Sequence, residues 1–457
     1  MNILDLKPLI HNIIALEEHE LDFDHLRQLK NEFSQTNKLS QVPSNSDLFK
    51  VYFTMVNDRE IPACPAFEKL LKKRAVRSQS GIVPIQVLTK PFRCPGKCIF
   101  CPNDFTMPKS YINTEPGAQR ALLNWFDPIK QTYNRLLSLR LNGHDTDKIE
   151  MIVLWGTRDV YPKQYKIDFI KGLYDACNTF DAFWQLYQDG KIEAQTRSLE
   201  IDMLPWEFPA TLTESIIINE TAGNRMIWLT IETRPEYVTH ENCRLWREMG
   251  ITRIEMGIQS MFDEVLDANK RGHSIEQVRL AMHILRSYAF KISCHFMPWL
   301  YGSTPELDIQ TFVLAFDDIW VRPDEIKFYP TSVIPNTELY DLYKSWEYIP
   351  LETSQIKDIT KIVQINHIPP YTRIKRLIRD IPATEIVAWS HVTNLRQLVD
   401  KEMELEFGDS PLIKHSSEHK GGTEVGGTWE QKRSKLYSRL YENMVMCSSV
   451  EDFIDQL

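Results

Sequence analysis

The sequence has no uninterrupted apolar stretch approaching the roughly 18 residues that a membrane-spanning helix needs. Its amino terminus, MNILDLKPLIHNIIALEEHE, breaks its apolar residues with charges and shows no small-residue cleavage site. A cytoplasmic location without membrane contact is the expectation. Glycine is scarce, 17 in 457 residues beside 25 prolines, which excludes a collagen-like or low-complexity chain. Basic charge is also in deficit. With 53 Lys and Arg against 62 Asp and Glu the formal net charge is −9, so any nucleic-acid contact must come from a local basic patch. The eight cysteines are too thinly spread for a secreted disulfide framework. What is present is a globular composition, 43% hydrophobic, long enough for a sizeable core.

Residues 1–80 read as a helical appendage, with LEEHELDFDHLRQLKNEF placing apolar residues at three- and four-residue spacing. From 81 to about 400, short β-rich runs alternate with helical ones, the pattern of a parallel sheet with crossover helices. Six strands are expected, near 83–89, 148–155, 225–233, 253–260, 291–298 and 325–332. The helix THENCRLWREMG should end at Gly250. Six βα units suggest an α/β partial barrel or an open doubly wound sheet, and both collect ligands at the carboxyl ends of their strands. Residues 401–457 lack this alternation. They hold a glycine-containing polar stretch, HSSEHKGGTEVGGTWE, and one candidate helix, QKRSKLYSRLYENMVM.

Three cysteines, Cys94, Cys98 and Cys101, follow the first expected strand as C-x3-C-x2-C in a Pro- and Gly-containing loop. Three thiolates converging from one loop suit three irons of a [4Fe-4S] cluster and leave the fourth iron open to a small molecule. Structural zinc would ask for a fourth Cys or His, and the next cysteine is the distant Cys177. Zinc and three ordinary thiols remain the alternatives. Lys97, beside Cys98, favours thiolates and an anionic cluster.

The triplet resembles the cluster motif of the radical S-adenosylmethionine (SAM) enzymes. TKPFRCPGKCIFCPNDFTMPKSY, EPGAQRA, TIETRP, GIQS, KFYPTS and RLIRDIPATEIVA, in that order, further resemble the catalytic subunit of Elongator, a radical SAM family acting on the wobble uridine of tRNA. The resemblance runs from about 60 to 400 and implies a partial (β/α)6 barrel with Cys94, Cys98 and Cys101 as cluster ligands. It implies reductive cleavage of SAM, hydrogen abstraction from the methyl of acetyl-CoA and carbon addition to uridine C5. The cofactors and cosubstrate are then the [4Fe-4S] cluster, SAM and acetyl-CoA.

Where the family has a Gly-Gly-Thr segment after the second strand, this chain has Trp155-Gly156-Thr157. Gly156 and Thr157 are the expected SAM contacts, and the bulk of Trp155 either points away from SAM or obstructs it. Glu232 in TIETRP is in position for the SAM ribose and Gln259 in GIQS is a second cofactor candidate. A solvated or salt-bridged strand-end carboxylate is the alternative for Glu232. Lys327 sits inside a β-rich run where an unpaired charge is costly to bury, and reads as catalytic and facing the site. Its alternative is a lysine reaching water from a strand end. His295 either lines the same cavity or is a satisfied core histidine.

Two basic segments suit a phosphate-tracking surface: Lys69, Lys72, Lys73, Arg74 and Arg77, and Arg373, Lys375, Arg376 and Arg379. On the residues alone they are also compatible with solvated faces. The resemblance makes them tRNA contacts, with Tyr371 or Tyr329 available to stack on a flipped base. The family's carboxyl-terminal acetyltransferase domain has no counterpart in the stretch after Arg396, nor has its cysteine-rich segment. A truncated chain, a separate acetyl-CoA-binding or Elongator-like subunit, and a diverged paralogue are the three expectations this leaves open. A non-catalytic tRNA-binding protein with a structural cluster is the alternative function.

Overall fold

The computed structural model describes residues 6–16, 22–72, 78, 80–102, 104, 106–154, 161–192, 205–388 and 394–407. Lys73, Arg74, Arg77, Trp155, Gly156, Thr157 and the 408–457 stretch lie outside the described residues. Seven parallel strands follow one another across one sheet in chain order: β1 (Val83–Leu88), β2 (Lys148–Leu154), β3 (Arg225–Thr233), β4 (Arg253–Gln259), β5 (Lys291–Phe296), β6 (Glu325–Phe328) and β7 (Arg373–Arg376). Helices fill the crossovers, and the α/β partial barrel expected from the sequence is the architecture found. The seventh strand is the addition. RIKR reads as a cationic segment, yet Ile374 is buried and the strand pairs in parallel with β6.

The chain divides into two compact units. The first comprises 1–89, 119–154 and 162–229. It contains four amino-terminal helices, Lys7–Ile14, Phe23–Thr36, Asn45–Asn57 and Pro65–Leu71, around a core of Leu9, Ile10, Leu48, Tyr52, Met55 and Phe67. Their starts are encoded locally. Asp22 accepts the His25 N–H at 2.8 Å, and Ser44 with Asp47 forms a reciprocal capping box. In the same unit β1 pairs with β2 in register, Val83 opposite Ile149 through Leu88 opposite Leu154.

The second unit comprises 90–118, 155–161 and 230–457, and its parallel ladder runs from the end of β3 to β7. β4 is buried on both faces, as a strand covered by crossover helices must be. The helix His240–Glu248 ends as expected, with Gly250 at φ +76°. Register places Glu232 opposite Glu255, and His295 opposite Lys327. β4 bulges between Gly257 and Gln259, and Gln259 adopts φ +78°. That left-handed conformation is uncommon for a side-chain-bearing residue and turns the strand end out of its regular ladder. No described helix is long and apolar enough to cross a membrane.

Candidate active site

The loop after β1 holds the three cysteines, each half-buried. Backbone bonds pin its middle: Ile99 N–H donates to the Asn269 carbonyl at 3.3 Å, and Leu339 N–H donates to the Ile99 carbonyl at 2.9 Å. Gly96 N–H donates to Cys94 Sγ at 3.3 Å. A methyl group at residue 96 would displace the Arg234 guanidinium and crowd Cys94 Sγ, so glycine leaves room for the arginine beside the cysteines. Arg271 Nη1 lies 3.1 Å and Arg234 Nη1 3.8 Å from Cys98 Sγ. Burial, then Cys98, pushes the Cys101 thiol up to about 11. Cys98 meets two guanidiniums, and Cys94 and Cys98 lie near enough to Cys101 to act on its thiol, so the loop offers a thiol set that tolerates net negative charge. That fits an anionic iron–sulfur cluster. Among the described residues the other cysteines lie elsewhere: Cys177, Cys243 and Cys294 are buried, and Cys64 precedes the helix Pro65–Leu71.

Inside the barrel a chain of charges crosses four strands. Glu255 on β4 is fully buried; it pairs with Lys327 Nζ of β6, with Lys375 Nζ of β7 at 3.4 Å, and with His295 Nε2 of β5 at 3.4 Å. Lys375 lies 3.6 Å from Glu325, which pairs with Arg253 at 3.2 Å. Burial alone would raise the Glu255 carboxyl, but Lys327 and then Lys375 hold it well below the ordinary range. Burial works against the Lys327 cation, and Glu255 outweighs it, raising the lysine above its usual value. Lys327 is therefore a fixed cation at neutral pH and no base. Burial followed by the Lys327 charge lowers His295 to about 4, leaving a neutral imidazole.

Glu232, near the end of β3, is half-buried and accepts the Tyr111 hydroxyl at 2.7 Å. Burial raises its carboxyl to about 7, with Lys327 partly offsetting and Glu255 adding to the rise. Gln259 turns inward at the bulge, and its Oε1 is buried with no hydrogen-bond partner among the described residues. A buried acceptor without a donor is costly and points to a bound group that supplies one.

The structure brings Cys94, Cys98 and Cys101 together in one loop, and Glu232 and Lys327 into one charged interior. Of the basic positions, Lys69 is exposed and Lys72 faces Asp145 at 3.7 Å, both in the first unit. Arg373 is exposed, and Arg376 pairs with Asp380 at 2.7 Å. Lys375 and Arg379 are matched within the chain, Lys375 by Glu255 and Glu325, Arg379 by Glu115 at 2.8 Å. Tyr371 is 56% exposed, whereas Tyr329 packs edge-on against His295 with ring centres 5.6 Å apart. Sequence reasoning missed Glu255, although an acid inside the apolar run RIEMG carries the same signal as Lys327. Tyr111, Arg234 and Arg271 gave no local signal.

Residues 88–312 match the Radical SAM superfamily model, and 323–405 match the Radical_SAM C-terminal domain. Over 395 residues the chain is 35% identical to the tRNA uridine(34) acetyltransferase of Methanocaldococcus infernus, covering 85% of this chain and 67% of that protein. It is 31% identical over 411 residues to human (Homo sapiens) Elongator complex protein 3, covering 86% and 68%. The chain belongs to the radical SAM family of these proteins. It is also similar to the solved structure of the archaeal Methanocaldococcus infernus Elp3 with an N-terminal deletion, with a TM-score of 0.58 at 32% identity, covering 71% of this chain and 63% of that one. The chain spans about two thirds of the length of these relatives. Membership of the radical SAM family implies a [4Fe-4S] cluster and SAM, and the thiol loop fits the first.

Proposed function

We propose that this radical SAM protein modifies the wobble uridine of tRNA at C5, with acetyl-CoA as carbon donor. The observation that carries the reading is the three-cysteine loop beside two guanidiniums, in a chain whose relatives are named for uridine 34 of tRNA. Cys94, Cys98 and Cys101 would hold the cluster. When bound, the cluster supplies the single electron for reductive cleavage of SAM, chemistry the side chains cannot perform. Glu232 and Gln259, with Gly156 and Thr157, would bind SAM, the buried Gln259 Oε1 accepting a hydrogen bond from it. Lys327, held as a cation by Glu255, offers a fixed positive charge to a carbonyl or phosphate oxygen of a substrate without taking its proton. Neutral His295 beside it donates or accepts without a charge of its own. Lys69, Lys72, Lys73, Arg74, Arg77 and Arg373 would meet tRNA phosphates. Arg376 also belongs to that reading, while Lys375 and Arg379 would act through the ion pairs they already make.

The test is a nucleoside analysis. Anaerobically reconstituted protein is given tRNA, SAM, a reductant and acetyl-CoA labelled at the methyl carbon. The reading expects labelled carbon on uridine 34 and none on a transcript with cytidine there. Tight tRNA binding by cluster-loaded protein with unchanged nucleosides would favour the non-catalytic alternative.

A further inference from the structure

Ten residues past Cys101 the loop turns back on itself, and the turn is clamped. Ser110 sits at φ +84°, a conformation that a serine keeps only when its surroundings over-determine it. Here the surroundings are Arg379. Its Nη2 donates to the Ser110 carbonyl and to Glu115 Oε1 at 2.8 Å, and its Nη1 donates to Ser110 Oγ at 3.2 Å. Glu115 in turn accepts the Ile112 N–H at 3.2 Å, tying both ends of Ser110–Glu115 to one guanidinium. The same guanidinium lies 5.0 Å from the Tyr111 ring centre, a cation–π contact that fixes the ring plane. The product of all these contacts is the direction of one hydroxyl, which meets Glu232 Oε2 at 2.7 Å.

We infer that Tyr111 is a positioning residue for SAM binding: clamped by Arg379, its phenol donates to the Glu232 carboxylate and fixes its orientation. The inference rests on the reading of Glu232 as a SAM partner. Its chemistry is simple. The phenol is buried beside carboxylates and holds its proton, so it is a donor only toward Glu232. Donation to the ionised form favours that form, against the burial that disfavours it. Among the described residues, Lys327 of β6 and Arg379 also face Glu232 and favour ionisation, and Glu255 of β4 opposes it. His295 of β5 lies in the same cluster and stays neutral above about pH 5 because its own value is about 4. Losing the phenol therefore moves the Glu232 titration upward, out of the neutral range.

The experiment measures SAM affinity of the oxidised, cluster-loaded protein, which does not turn over, by equilibrium dialysis from pH 6 to 9. Wild type, Tyr111→Phe, Glu232→Gln and the double variant are compared at matched iron content. Any titration of SAM itself is common to all four. Tyr111→Phe keeps the ring under Arg379 and is expected to weaken binding about tenfold near pH 7, the lower end for a hydrogen bond to a charged group. Most of that loss should be recovered by pH 9. Glu232→Gln should weaken binding without a titration near 7, and Tyr111→Phe should add nothing on that background. Substitution of Tyr111 by 3-fluorotyrosine, a more acidic donor that preserves the packing, should move the midpoint downward. A loss equal at every pH would mean a packing role and overturn the inference, as would a profile identical to wild type. If Glu232→Gln leaves SAM affinity unchanged, the reading of Glu232 fails and the inference with it; if only the Tyr111 variants are silent, the inference fails alone.

Discussion

Replacing Glu255 with Gln tests the charged interior with a change of a single atom type. The carboxylate is fully buried and serves Lys327, Lys375 and His295. Lys375 keeps Glu325 at 3.6 Å after the substitution, whereas among the described residues Lys327 forms its ion pair with Glu255 alone. Removing one partner of a buried pair leaves an uncompensated charge and costs about 3–5 kcal/mol. In a domain of this size each kcal/mol moves the melting temperature by roughly 2–4 °C, so a drop of about 10 °C is expected. Calorimetry or circular dichroism of the cluster-free chain reads it. Adding Lys327→Met to Glu255→Gln should return most of the loss, a coupling of at least about 2 kcal/mol where independent sites add within about 0.5. The pH dependence has a definite sign. Glu255 has its folded value below the ordinary 4.5, so its stabilisation is present above about pH 4.5 and is lost as pH falls through the folded value. Compared on a Glu232→Gln background, which removes the titration that Glu255 raises, the Glu255 advantage should be flat from pH 5 to 8 and shrink only in acid. A Glu255→Gln cost under about 1 kcal/mol, or strict additivity with Lys327→Met, would refute the account of the pair.

Three further outcomes are expected. Cys98→Ala should abolish iron incorporation, read as iron content and visible absorption after anaerobic reconstitution, with the cluster-free fold unchanged by circular dichroism. Gly96→Ala forces the loop against Arg234 and should lower cluster occupancy severalfold while leaving the melting temperature of the cluster-free chain within about 2 °C of wild type, because the clash lies in a half-buried loop. Charge reversal at Lys69, Lys72 and Arg373 should weaken tRNA binding uniformly across tRNA sequences and reduce its logarithmic salt slope by about one for each phosphate no longer neutralised; an unchanged slope would remove these residues from the interface.

Much of this was legible in the residues, for physical reasons. Parallel strands buried on both faces are near-continuous apolar runs, so RMIWLTIET and KISCHFMP announce β3 and β5 directly. β7 escapes because three of its four residues are cations. A strand is recognised by its apolar face, and here one isoleucine faces the core while Lys375 meets acids brought in by β4 and β6. Cys94, Cys98 and Cys101 stand out because their chemistry is compressed into eight residues. Lys327 stands out as a charge in an apolar run, and Glu255 obeys the same logic. Tyr111 and Arg379 do not stand out. They are separated by 268 positions in sequence, and only the fold makes one the clamp of the other. The bulge that turns Gln259 inward is likewise a property of paired strands, invisible in GIQS alone.

Quantitation of 5′-deoxyadenosine decides whether this chain carries out the proposed radical SAM chemistry on tRNA. The reconstituted, reduced protein is incubated with SAM, with and without tRNA, beside Cys98→Ala. 5′-Deoxyadenosine should form, require Cys98 and rise when tRNA is added. A fully loaded, reducible cluster that forms none in either condition would contradict the proposed chemistry.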